Sequence, residues 1–124
     1  MASRIRITSG DIVVEGTLSD SETATSIGNL LPLEGKARTW GNEIYFPIPL
    51  EAGNENGRET VEMGDIGYWP PGKALCLFFG ATPMSAPGEI RPAGPVTVVG
   101  RMEGDLSILK KIAEGDDVKV EALD

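Results

Sequence analysis

Histidine is absent from this 124-residue chain. Its absence excludes Ser-His-Asp and Cys-His catalysis and removes the commonest ligand of transition metals. There is one cysteine, Cys76, so no internal disulfide can form. Basic residues are scarce: 11 Lys and Arg stand against 19 Asp and Glu, giving a net charge of −8. An acidic surface repels phosphate backbones and anionic lipid, which argues against nucleic-acid and membrane partners. No apolar run reaches membrane-spanning length. The opening "MASRIRITSG" lacks the apolar stretch of a signal peptide, so a cytoplasmic location is expected. No metal or cofactor is expected. Any catalysis falls to carboxylates, Lys, Arg, Tyr or the lone thiol.

What the chain does have is turn chemistry. Sixteen Gly and nine Pro are scattered along its length, which fits short strands joined by frequent turns. The length fits one domain over residues 1–124. "RIRITSGDIVVEGTL" alternates on both sides of Ser9-Gly10-Asp11 and predicts a hairpin. In "SDSETATSIGNLL", Ser19 with Glu22 fits a capping box, and Ala24, Ile27, Leu30 and Leu31 recur at helical spacing before Pro32. "KARTWGNEIYFPIPL" predicts two strands around Gly41-Asn42, with Pro47 and Pro49 confining the second to an edge or mouth. "EAGNENGRE" reads as the most mobile loop.

Further on, "ETVEMGDIGYW", "ALCLFFG", "PVTVVGRM" and "DDVKVEAL" read as strands. "DLSILKKIAEG" reads as a second helix, capped by Asp105, striped by Leu106, Leu109 and Ile112, and ended by Gly115. About eight strands without a βαβ rhythm predict a mainly β fold: a closed, eight-stranded antiparallel barrel with two short helices at its openings.

One stretch, "GDIGYWPPGKALCLFFG", carries a competing signal. Gly67-x-x-x-x-Gly72-Lys73 imitates a phosphate loop. The Ser or Thr that should follow the lysine is Ala74, Pro70 and Pro71 have no N–H to offer a phosphate, and a strand follows where a helix should. The nucleotide reading fails. Tyr68, Trp69 and the two prolines form instead either a rigid recognition surface or a packed corner.

"ALCLFFGATP" and "PVTVVGRMEGDLSILKKI" resemble the two C-terminal signatures of cyclophilins, the peptidyl-prolyl isomerases. "TWGNEIYF" and "GDIGYWPPGKALCLFFGATPMS" resemble more closely a smaller family, the stand-alone cyclophilin-like proteins of archaea and bacteria, whose activity is unsettled. The resemblance spans nearly the whole chain. It implies the eight-stranded barrel with a helix at each end, and a surface cleft. Phe79 falls on a cleft phenylalanine of the isomerases, and Leu77 stands where their positioning glutamine is expected. Arg38, before a turn, is the candidate for their arginine, and their histidine has no counterpart. Glu43, Tyr45 and Phe46 would form a different wall.

By that positional resemblance Leu77 and Phe79 face the cleft, and Cys76 is an inert thiol facing the core. "GYWPPGK", with Tyr68, Trp69 and Lys73, would be the lip. Lys73 otherwise reads as a solvated loop charge, and Trp40 with Tyr45 as a structural cross-strand pair.

The barrier to Xaa-Pro rotation is about 18–20 kcal/mol. One arginine in an apolar cleft would lower it by supporting a pyramidal prolyl nitrogen. Without the glutamine, activity is expected to be weak or nil. The leading expectation is a binding module that holds a proline-containing peptide or a small molecule in a cleft of Arg38, Glu43, Tyr45, Tyr68, Trp69, Lys73, Leu77 and Phe79. The alternatives are a weak prolyl isomerase, with Arg38 as the catalytic candidate, and a subunit of a larger amide-cleaving enzyme. A monomer or a weak homodimer fits the proline-capped edges.

Overall fold

The computed structural model describes residues 3–123. Nine antiparallel strands form one sheet: β1 (Ser3–Ser9), β2 (Ile12–Leu18), β3 (Leu33–Lys36), β4 (Arg38–Thr39), β5 (Glu43–Pro47), β6 (Asp65–Trp69), β7 (Ala74–Phe78), β8 (Thr97–Glu103) and β9 (Asp117–Ala122). Their order is β3-β9-β1-β2-β8-β6-β7-β5-β4. The two outermost strands, β3 and β4, are separated in the chain only by Ala37, so the sheet curls back on itself. The Ala37 amide donates to the Asp116 carbonyl at 2.7 Å, and the Gly115 amide donates to the Ala37 carbonyl at 2.8 Å. The result is a nearly closed barrel.

The ninth strand corrects the expected eight. β3, "LEGK", follows Pro32 and contains no β-branched or aromatic residue, so its strand signal is weak. It works as a strand because Leu33 and Gly35 both face the interior. A Cβ on Gly35 would come within 2.7 Å of the Phe46 ring, so Phe46 fills the space that glycine vacates.

Among the described residues there is one α-helix, α1 (Glu22–Leu30). Its cap is Ser21 rather than Ser19: Ser21 Oγ accepts the Ala24 amide at 3.2 Å. The Glu55 carboxylate, from the polar loop before β6, accepts the Glu22 and Thr23 amides and the Thr23 hydroxyl. These bonds hold the Glu55 carboxyl below its usual range. The loop read as most mobile is therefore tied to the helix N-terminus.

The expected second helix is only a 3-10 turn, Leu106–Lys111, capped by Asp105 through the Ser107 amide. It stops early because residues beyond Ile112 are drawn into the barrel closure at Gly115 and Asp116. A second 3-10 turn, Pro70–Gly72, joins β6 to β7. Among the described residues no helix is long and apolar enough to cross a membrane, and no three or more His, Cys, Asp or Glu side chains come together as a metal site.

The described residues form two apolar clusters. The larger fills the barrel and includes Ile5, Ile27, Phe46, Tyr68, Leu75, Leu77 and Val99. The smaller lies outside the barrel wall and includes Val61, Ala74, Cys76, Phe78 and Val96, with Tyr45 and Trp69 packed against it. The segment 79–96 covers it, pinned by bridges from Arg58 to Val96 and from Val61 to Ile90. The Ser85 hydroxyl accepts the Thr82 and Arg91 amides, both at 2.9 Å, and holds that cover in shape.

Candidate functional site

The outer cluster surrounds a cavity of about 220 Å³ lined by Trp40, Glu43, Tyr45, Trp69, Cys76, Pro92, Ala93 and Val96. Its construction follows from strand register. β4 and β5 form a hairpin closed by Gly41 and Asn42. Trp40 and Glu43 exchange both backbone hydrogen bonds, at 3.0 and 3.2 Å. Gly41 has φ +61, the conformation that a first-position glycine supplies in a two-residue hairpin turn. Opposed residues share a face, so Trp40 and Glu43 stand side by side.

Tyr45, two residues on, shares that face and pairs with Cys76 on β7, and Cys76 pairs with Gly67 on β6. A Cβ on Gly67 would meet Phe78 and Val96 at 3.2 Å, so the missing side chain leaves room beside Cys76. Trp69 pairs with Ala74 two residues along, on the same face. Its ring lies so close to Gly72 that a Cβ there would come within 2.8 Å of the six-membered ring, and its Nε1 lies 3.3 Å from where a Cβ on Gly94 would sit. Two glycines thus fix the indole. Glu43, Cys76, Pro92 and Val96 are buried and form the floor, while Trp40, Tyr45 and Trp69 are half-buried at the open side.

Glu43 is the unusual member. It is 5% exposed, and its Oε1 has no hydrogen-bond partner. Burial pushes its pKa up to about 7, opposed only in part by the neighbouring Cys76 thiol. Burial, together with the Glu43 carboxyl, in turn pushes the Cys76 thiol well up. The thiol's hydrogen-bond partner is the Ala74 carbonyl at 3.8 Å. A neutral thiol is a poor nucleophile. No Arg or Lys lines the cavity.

Of the expected site residues, the fold brings together Glu43, Tyr45 and Trp69. Tyr68 and Leu77 point into the barrel and are wholly buried, and the Tyr68 hydroxyl donates to the Leu50 carbonyl. The orientation expected for β7 is thus reversed: Leu77 faces inward and Cys76 faces the cavity. Alternation could not decide this, because segment 79–96 covers the outer face and all five β7 residues are buried. Phe79 is buried in the barrel cluster and borders shallow depressions near Lys110, away from the cavity.

Lys73 is exposed, in a left-handed conformation, and pairs with Glu51 at 3.3 Å. Arg38 sits opposite Tyr45 on the same face but is exposed and does not line the cavity. Trp40, Pro92, Ala93 and Val96 were outside the expected site. The expected pair of Trp40 with Tyr45 is not formed, since Tyr45 is opposite Arg38 and Trp40 is opposite Glu43; the face that Trp40 and Tyr45 share was still a usable signal for the first, whereas no local pattern marks the others.

Comparison with known proteins places these features in a family. The cyclophilin-like family model matches residues 3–121. The solution structure of a hypothetical protein from Archaeoglobus fulgidus is similar at 41% identity with a TM-score of 0.80, covering 96% of this chain and 93% of that one. No curated protein matches. The chain belongs to the cyclophilin-like family.

Proposed function

We propose that this protein is a ligand-binding module whose outer-face cavity seats a small molecule, or one side-chain-sized group of a peptide, without transforming it. The observation that carries this reading is the cavity floor. A buried carboxyl oxygen without a partner is costly unless something completes its hydrogen bonding, and here it lies in a cavity walled by aromatic rings. Binding sites typically combine apolar walls with a few convergent polar groups. The volume, about 220 Å³, is below the roughly 300–1,000 Å³ of drug-sized sites, which favours a small occupant.

A prolyl isomerase needs a cation beside the apolar cleft. Arg38, opposite Tyr45, is the one residue that keeps that second reading open. The test is an amide NMR titration of the full chain with a panel of small neutral and charged fragments and a short Xaa-Pro peptide. Peptide cis–trans exchange is recorded on the same samples. Shifts at the indole N–H groups of Trp40 and Trp69 without accelerated exchange support the binding module. Exchange that Arg38→Ala abolishes replaces it with the isomerase. No shift at either indole by any fragment or the peptide ends the reading.

A further inference from the structure

We infer that the outer-face cavity recognises an organic ammonium group, a protonated amine carrying a short apolar tail. This rests on the cavity being a binding site, and it names the chemistry that the site selects. Three of the eight lining side chains are Trp40, Tyr45 and Trp69. Aromatic faces attract cations, most strongly where water is excluded, and clusters of them hold ammonium groups. The fourth recognition element is Glu43 Oε1, buried and without a hydrogen-bond partner, on the floor below the rings. An ammonium N–H donated to that oxygen satisfies it with a charge-assisted bond.

The remaining lining groups, Cys76, Pro92, Ala93 and Val96, offer apolar contact to a tail. No basic side chain lines the cavity to compete for the carboxyl, and the net charge of −8 draws cations toward the surface. An anionic guest meets the reverse: a carboxylate with no cation beside it. A neutral amide finds the walls but lacks the charge.

The ionisable groups that line the cavity are Glu43, Tyr45 and Cys76, and Arg38 lies at the exposed edge opposite Tyr45. With Glu43 ionised, the carboxyl is the only charge inside the cavity. The ammonium therefore neutralises a buried anion that the folded chain leaves uncompensated.

The experiment uses the full chain at pH 8 and three probes of similar size: butylammonium, butyramide and butyrate. Binding is followed through the indole N–H signals of Trp40 and Trp69 and the carboxyl carbon of Glu43. Butylammonium is expected to bind at least about tenfold more tightly than butyramide, with butyrate weaker still. Glu43→Gln is expected to remove that preference, so that butylammonium binds the variant no more tightly than butyramide does, and core amides such as those of Ile5 and Val99 report that the variant is folded. If butyramide or butyrate shifts the indoles and butylammonium binds no better, the ammonium inference is overturned and the binding module stands. If no probe shifts them, and the wider fragment panel does not either, both fall. If butylammonium binds but Glu43→Gln binds it equally well, the assignment to Glu43 is wrong.

Discussion

Trp40 and Glu43 face each other across a two-residue turn and exchange both backbone hydrogen bonds. One hairpin thus sets a large aromatic ring at the open side of the outer-face cavity next to a carboxyl buried on its floor. The geometry has an energetic consequence. The carboxyl is held where its ionised form is disfavoured, and a guest with a donor relieves it.

Stability should therefore depend on pH through Glu43. Its carboxyl titrates near the ordinary 4.5 in the unfolded chain and near 7 in the folded one. Below the lower value it is protonated in both states and adds no pH dependence. As pH rises through this window the unfolded chain loses the proton first, so the folded state loses stability, and the penalty levels off above about 7. The full penalty is on the order of 3 kcal/mol. Glu43→Gln should be more stable than the parent by about 1–3 kcal/mol at pH 8.5, because the new amide keeps some desolvation cost. At pH 4.5 the two should differ little. Urea unfolding at both pH values checks this, and parallel curves for the two proteins would remove Glu43 as a buried titrating group.

The turn itself should be intolerant of a side chain. Gly41 has φ +61, and a Cβ there would lie 2.8 Å from Pro83 Cδ, 2.9 Å from the Thr82 Cα and 3.0 Å from the Ala81 carbonyl oxygen. Two of these atoms are backbone and cannot step aside cheaply. Gly41→Ala adds the left-handed penalty of about 1 kcal/mol to a steric conflict, so a loss of at least about 2 kcal/mol is expected. The indole N–H of Trp40 should shift with it. A variant within about 0.5 kcal/mol of the parent would mean that the turn relaxes freely.

Much of this construction could be read from residue pattern, and the unread part has physical causes. The hairpin at Gly41-Asn42, the strand following Lys73 and the barrel class rest on local turn chemistry and strand-forming residues, which the fold obeys. The orientation of β7 was hidden because "ALCLF" is buried on both faces, so the period-two contrast that reveals facing is missing. β3 was hidden because Gly35 leaves its interior position to Phe46. Pro92, Ala93 and Val96 enter the cavity only through the fold-back of segment 79–96, a long-range event with no sequence period. Glu43 was named as a wall residue, but its unpartnered burial depends on neighbours from three strands.

Trp69 offers a test that separates shape from stability. Its ring occupies the space that a Cβ on Gly72 would need, at 2.8 Å from two ring carbons. Gly72 has no positive φ that glycine alone could adopt. In Gly72→Ala the ring, not the backbone, should move. Stability should fall by no more than about 1–2 kcal/mol, while the Trp69 indole signal and its fluorescence change and any cavity ligand binds several-fold more weakly. An unaltered Trp69 signal would show that the glycine has no part in holding the indole.

Cys76 tests the electrostatics of the cavity floor from the other side. The thiol is 2% exposed, and burial and the adjacent Glu43 carboxyl both push its pKa up. Thiol reagents attack the thiolate, so ionisation as well as access limits the reaction. A small reagent such as methyl methanethiosulfonate should modify the folded protein slowly at pH 8 and faster with each step in pH up to 9, while urea-unfolded protein reacts at the rate of an ordinary cysteine. Glu43→Gln removes the like charge beside the thiol and should speed the folded-state reaction several-fold at pH 9. Burial, the larger cause, remains, so the variant should still react more slowly than the unfolded chain. Equal rates in parent and variant would mean that the carboxyl and the thiol do not sense each other, and that the two groups do not share one floor.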